Sequence, residues 1–295
     1  MTYTLSDLTY RTARELGIVS ENLATGGSAL TLIDTVNLLQ PDDFWKGGTV
    51  WVLWDKGNAG ASPEGKYAVI TAYDVDTWKA TWTTTMTDAI VAGDRYAIGK
   101  PKYTLSMLIQ SVNRAIQELG AVLPVETSDI ATTNLESEYA VPAAPTGTTY
   151  DLKRVFLHRL PYADTFKDEP WIELKNWYVR TSTAGVPTKI LFPYDLPAGY
   201  VIKCLYCIPQ PQLNAYSDVM SATIPVEYVV YAAAANCLNT WRQKTADNNQ
   251  SVLDDIAYYR QKAMEYKMIQ PVLFRERAEV RDDDDAVRLN VPSRT

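Results

Sequence analysis

Gly60-Ala61-Ser62-Pro63-Glu64-Gly65-Lys66 has the spacing of a phosphate-binding P-loop, in which backbone N–H groups and a lysine cradle phosphate oxygens. Three features oppose that chemistry. Tyr67 stands where a Ser or Thr hydroxyl should reach magnesium, and Pro63 removes one N–H. Tyr67-Ala68-Val69-Ile70 also reads as a strand where a helix should begin. The turn residues predict a hairpin loop instead.

Cys204-Leu205-Tyr206-Cys207 carries the C-x-x-C spacing of redox and zinc sites, but inside the strand-like run Val201–Ile208. Period-two alternation sends the two sulfurs to opposite faces, so ordinary semi-buried cysteines are expected. His158, the sole histidine, excludes multi-histidine metal centres and would have to carry any Ser-His-Asp arrangement alone. It falls within the strand-like Tyr150–Leu160, and no Gly-x-Ser-x-Gly elbow accompanies it. Asp282-Asp283-Asp284-Asp285 lacks the alternating spacing, the turn glycine and the distal glutamate of a calcium loop. Acid–base work by a carboxylate pair has no pair singled out for it. The site residues therefore number no catalytic, metal or cofactor group, and no cofactor is expected.

The elements that hold these residues alternate between helical and strand periodicity. Leu5, Leu8, Ala13 and Leu16 predict a short amphipathic helix capped by Thr4 or Ser6 and stopped by Gly17. Strand-like runs follow at Ala29–Ile33, Thr49–Trp54, Tyr67–Tyr73 and Trp78–Thr84. Helical spacing returns in Leu105, Leu108, Ile109, Val112, Ile116 and Leu119, ended by Gly120. A second β-rich stretch predicts strands at Tyr150–Leu160, Trp171–Arg180, Thr188–Phe192 and Tyr200–Ile208. Pro225, suited to a first helical turn, opens a helix over Val226–Thr240 that continues to Trp241, and a further helix spans Ser251–Met268.

The fold class expected is α+β: a helical core of four principal helices with two inserted β-rich modules and an extended C-terminal tail. Residues 1–25 and 101–124 supply the N-terminal helices of the core, and 26–100 is the first inserted β module. Residues 125–222 form the second, 223–270 the C-terminal helices, and 271–295 the tail. Phe274, Arg275, Arg277, Arg281, Asp282, Asp283, Asp284, Asp285 and Arg288 give that tail an anchor and both charge signs, so partner docking is expected of it.

The totals narrow the function classes. With 46% hydrophobic residues, 295 residues can bury a core without a metal or disulfide staple. The 28 basic against 35 acidic residues leave a net charge of -7, which opposes binding to a nucleic-acid backbone through a general basic surface. Three cysteines fit a reducing compartment. The first residues lack a signal-peptide pattern and no run of about 18 apolar residues occurs, so a soluble protein made in the cytoplasm is expected. The 19 Tyr and 8 Trp against 5 Phe suit sheet faces and subunit contacts alike.

The layout resembles the head–tail connector, or adaptor, proteins of tailed double-stranded DNA phages. Leu105–Gly120 is similar to that family's early helix ending in N-x-A-x-x-E-L, with Asn113, Ala115 and Leu119 carrying the likeness. Ile224-Pro225-Val226-Glu227-Tyr228 before an Ala-rich helix, then a second helix and a charged tail, resembles the late part of such adaptors. Phe44–Val50 and Ala92–Tyr96 are similar to β modules of phage structural proteins. The two large β segments depart from the many small, mainly helical connectors.

The resemblance implies a structural virion protein of the neck, a homo-oligomeric ring of twelve copies beneath the portal protein. DNA would pass through the lumen without specific binding, and tail or further neck proteins would be neighbours. Three alternatives stay open: another tail or baseplate ring component, a carbohydrate-active enzyme using carboxylates on the aromatic β modules, and a soluble cellular binding module.

Overall fold

The computed structural model describes residues 2–57, 63–126, 130–132, 136–140, 151–159, 172–181, 187–196, 198–246 and 249–269. Strand β1 (Tyr3–Thr4) runs directly into α1 (Leu5–Glu15). Thr4, and not Ser6, is the cap: its hydroxyl accepts the Asp7 N–H while the Asp7 carboxylate accepts the Thr4 N–H at 2.9 Å. At the other end Gly17, at φ +65°, lets its own N–H reach the Arg14 carbonyl and the Ile18 N–H reach that of Ala13. That pair of bonds satisfies carbonyls the helix leaves open, and glycine takes the positive φ without a Cβ clash.

Strands β2 (Val19–Leu23), β3 (Gly26–Ser28), β4 (Thr31–Ile33), β5 (Thr49–Trp54), β6 (Tyr67–Val69), β7 (Ala72–Asp74), β8 (Lys79–Thr81) and β9 (Arg95–Gly99) form two antiparallel sheets. Their orders are β2-β9-β5-β6 and β3-β4-β8-β7. Two expectations are corrected here. Val19–Leu23 lies in the range assigned to helical core, yet it pairs with β9 along its whole length. The single strand expected over Tyr67–Tyr73 divides into β6 and β7, one in each sheet. The Ile70 N–H donates to Gly48 and the Thr71 N–H to Thr81, so the chain changes sheets between these two residues.

From Thr49 to Val52, strand β5 is buried on both faces. Val50 and Val52 pack with Leu32, Tyr73, Ala80 and Trp82 between the sheets. Trp51 packs the other way, with Ala13, Leu108 and Cys237 of the helices, and its indole N–H donates to Thr9 Oγ1 at 3.2 Å. A stretch covered on both sides reads as a continuous apolar run, which is why Val50-Trp51-Val52 shows little alternation.

Helix α2 (Leu105–Gln117) is capped by Thr104. Beyond it come β10 (Ala121–Glu126), β11 (Ile130–Ala131), β12 (Glu136–Ala140), β13 (Asp151–Arg159), β14 (Ile172–Leu174), β15 (Tyr178–Thr181), β16 (Pro187–Leu196) and β17 (Tyr200–Pro209). These make a sheet β10-β17-β13-β14, with β11 also on β17, and a sheet β12-β16-β15. Val155, Leu157, Ile190, Phe192 and Ile202 share one core. The strand expected over Trp171–Arg180 is two strands in different sheets, parted at Asn176 with φ +61°. Ala121–Glu126, at the boundary drawn at 124, is strand throughout.

The last described elements are β18 (Val219–Met220), α3 (Val226–Thr245) and α4 (Gln250–Ile269). Pro225 is the residue before α3 rather than part of its first turn, and the helix runs past Trp241 to Thr245, where Ala246 turns left-handed at φ +53°. Leu5 and Leu8 of α1, Val112, Ala115 and Ile116 of α2, Val229 and Ala233 of α3, and Ala263 of α4 share one hydrophobic core. The mixed α+β class is thus the observed one. Among the described residues no helix is long and apolar enough to cross a membrane.

Candidate functional site

Where α1 crosses the ends of β5 and β9, a groove of about 320 Å³ opens between helix and sheet. Residues at i, i+4 and i+7 on a helix share a face, and here Asp7, Arg11 and Arg14 border the groove with Tyr10, opposite Glu64 and Arg95. The Glu21 carboxylate on β2 ties the parts together. It accepts the Tyr10 hydroxyl at 2.5 Å and the Arg95 guanidinium at 2.5 Å, with Arg14 Nε at 3.7 Å. Arg11 pairs with Glu227 at 3.3 Å and lies over the Tyr3 ring.

The electrostatics follow from this geometry. Burial, then the bond to Glu21, pushes the Tyr10 phenol up to about 12, which keeps it protonated and a poor nucleophile. The hydrogen bond from Tyr10 holds the Glu21 carboxyl below the usual range, helped by Arg95 and Arg14 against the cost of burial. A guanidinium carries five N–H donors in a fixed fork. Each of these arginines spends only part of that set on its carboxylate, so the groove is equipped to hold a further carboxylate or phosphate oxygen.

Among the described residues, those singled out in the sequence are not brought together. Gly65 N–H donates to the Val52 carbonyl and Lys66 N–H to that of Pro63, so these two N–H groups of the P-loop-like segment serve the turn into β6. Lys66 is buried, and burial lowers its ammonium pKa; Gly60, Ala61 and Ser62 lie outside the described residues. Cys204 and Cys207 are thiols on β17, three residues apart and hence on opposite faces. They are wholly buried rather than semi-buried. Cys237, in the core, has its thiol pushed up to about 12 by burial. His158 sits opposite Val201 in β13, and its side chain lies outside the described residues, as does the whole docking set from Phe274 to Arg288. Among the described residues no cluster of three His, Cys, Asp or Glu is placed to hold a metal ion.

Sequence reasoning passed over three buried aspartates and the groove itself. Asp34 accepts the N–H groups of Val36 and Asn37, the Asn37 amide, and the Tyr96 hydroxyl at 2.6 Å. Burial alone would raise its pKa, but these bonds outweigh it and hold the carboxyl below its ordinary value. Asp94 accepts the N–H groups of Lys56 and Val91, and Asp55 that of Gly57. All three tie down loops between strands. For Asp34 and Asp55 the local sign is an aspartate two or three residues before the N–H it accepts, whereas Asp94 accepts from Val91 before it and from the distant Lys56. No local sign joins Glu21 to Arg95.

Large apolar groups also reach solvent. Leu23, Arg95 and Trp54 lie in register across β2, β9 and β5, with Leu23 58% and Trp54 49% exposed. Met264, Met268 and Ile269 do so at the end of α4. Asn113 and Ala115 have positions of their own: the Asn113 amide makes two 2.8 Å bonds with the Leu213 backbone, and Ala115 is buried in the helical core. A scan against protein-family models finds no match to this chain, and a search of curated proteins finds none either.

Proposed function

We propose that the chain is a structural virion subunit, a head–tail connector that forms a ring beneath the portal and does no chemistry of its own. The observation that carries this reading is the shared core of α1, α2, α3 and α4, into which both early and late parts of the chain send helices. The β strands between them then read as two inserted modules, the layout on which the connector resemblance rests. Exposed Leu23 and Trp54 on one sheet, and Met264, Met268 and Ile269 on α4, supply apolar material for contacts between copies beyond a core already filled.

In this reading twelve copies close a ring whose net-negative chains let DNA slide through without holding it. The tail from Phe274 to Arg288 docks on the portal or a neighbouring subunit, and the protein resides in the neck of the virion. Negative-stain imaging of the purified chain with and without the portal of the same virus tests it. Rings seated on portal are the expected result. Rings that ignore portal would move the protein to another tail or baseplate layer, and a chain that stays monomeric on portal would overturn the connector reading.

A further inference from the structure

The groove beside α1 and the end of α4 both contact the N-terminal end of α3. Helix α4 packs with α3 so that Lys267 reaches the Tyr228 ring, 5.8 Å from its centroid. The residue before Tyr228, Glu227, is paired with Arg11, and Arg11 borders the groove. The chain beyond Ile269 therefore sets out from the N-terminal end of α3, where Glu227 holds Arg11, and Arg14 and Arg95 border the same groove as Arg11. From Ile269 to Asp282 is about 13 residues, which reach roughly 43 Å when extended and roughly 20 Å as a coil.

We infer that the groove is the docking site for the chain's own Asp282-Asp283-Asp284-Asp285 run, bound in cis to Arg11, Arg14 and Arg95. Four successive carboxylates present oxygens on both sides of an extended backbone, so neighbouring guanidiniums are met without strict register. The carboxylates that line the groove, Asp7 and Glu64, and Glu21 beside it do not take this role. Asp7 is committed to Thr4, Glu21 to Tyr10 and the two arginines, and Glu64 accepts the Asp55 N–H. Among the described residues, part of the donor capacity of each guanidinium stays unspent, and all three border the groove. Arg14 and Arg95 have most of their side-chain surface in solvent, so the contact is reversible and salt-sensitive. The short tether makes the intramolecular encounter favoured over one between copies at low concentration. This inference stands apart from the connector reading, since it concerns the free subunit.

An engineered disulfide tests it on the full chain, because the native Cys204, Cys207 and Cys237 are all buried. Glu64→Cys with Asp284→Cys, treated with diamide at low salt, is expected to give an intramolecular bond. The rate should fall at least fivefold when Asp282, Asp283 and Asp285 become Asn, when Arg14→Gln and Arg95→Gln are added, and at high salt. A rate unchanged by all three would mean mere proximity and would overturn the proposal, as would a bond formed only between copies. Hydrogen exchange supplies a second readout free of groove substitutions. With all four aspartates changed to Asn, the α1 amides around Arg11 and Arg14 should exchange at least threefold faster, and equal exchange would count against docking. A docked tail on a chain that makes no ring would sink the connector reading alone.

Discussion

Trp51 joins the sheet to the first helix, and its replacement tests that joint quantitatively. The side chain is 1% exposed, so Trp51→Ala removes roughly 200 Å² of buried ring surface. At about 25 cal/mol per Å² that is about 5 kcal/mol, and with the alanine methyl retained a loss of about 4 kcal/mol is expected. The polar part separates cleanly. Thr9 Oγ1 accepts the indole N–H and donates its own proton to the Leu5 or Ser6 carbonyl, using one donor and one lone pair. Thr9→Val keeps the shape but strands the indole N–H, at a cost of about 1–2 kcal/mol. Trp51→Phe removes the donor as well, so the double variant should be about 1 kcal/mol more stable than the two single losses added together. Urea unfolding followed by far-ultraviolet circular dichroism measures the wild type and all four variants, with similar slopes expected. A Trp51→Ala loss below about 1 kcal/mol, or strict additivity of Thr9→Val and Trp51→Phe, would refute the joint.

Two further outcomes follow from the buried polar groups. Asp34 has a folded-state pKa below its unfolded value, so its stabilising contribution is present above the ordinary carboxylate range and is lost as pH falls through the depressed folded value. Asp34→Asn should cost about 1–3 kcal/mol at pH 7 and progressively less towards pH 3, measured by denaturant titration at each pH; a pH-independent difference would contradict the charge-based account. Cys204, Cys207 and Cys237 are all buried, and the Cys237 thiol is pushed up to about 12. The folded chain should therefore react with an aromatic disulfide reagent at pH 8 at least a hundredfold more slowly than the urea-unfolded chain. Labelling within seconds in the native state would show that the core opens readily.

The sequence alone determined the elements whose signals are local. Helices α1 and α2 follow from Leu5, Leu8 and Ala13, and from Leu108, Val112 and Ile116, with Thr4 or Ser6 as the first cap and Gly17 and Gly120 as stops, because capping and 3.6-residue periodicity act within one or two turns. The four-residue Ala232–Ala235 run announced a buried α3, since small side chains permit close helix packing and alanine favours the helix. The strand status of the cysteine pair was legible for the same reason: alternation is a property of neighbours.

Only the tertiary structure decided what depends on partners distant in the chain. Whether Tyr67–Tyr73 was one strand or two turned on hydrogen bonds to Gly48 and Thr81, each with an acceptor the sequence does not announce. Val19–Leu23 became a strand because β9, far along the chain, offered a free edge; the pattern Val-Ser-Glu-Asn-Leu by itself carries little β propensity. The groove is the clearest case. Tyr10 and Arg14 are visible as helix neighbours, but Glu21 and Arg95 meet them only because β2 and β9 pair in a register that places both beside α1. Local spacing fixes which face of an element a residue occupies, and pairing between elements fixes what that face meets, so the chemistry of this chain's groove is a property of the fold.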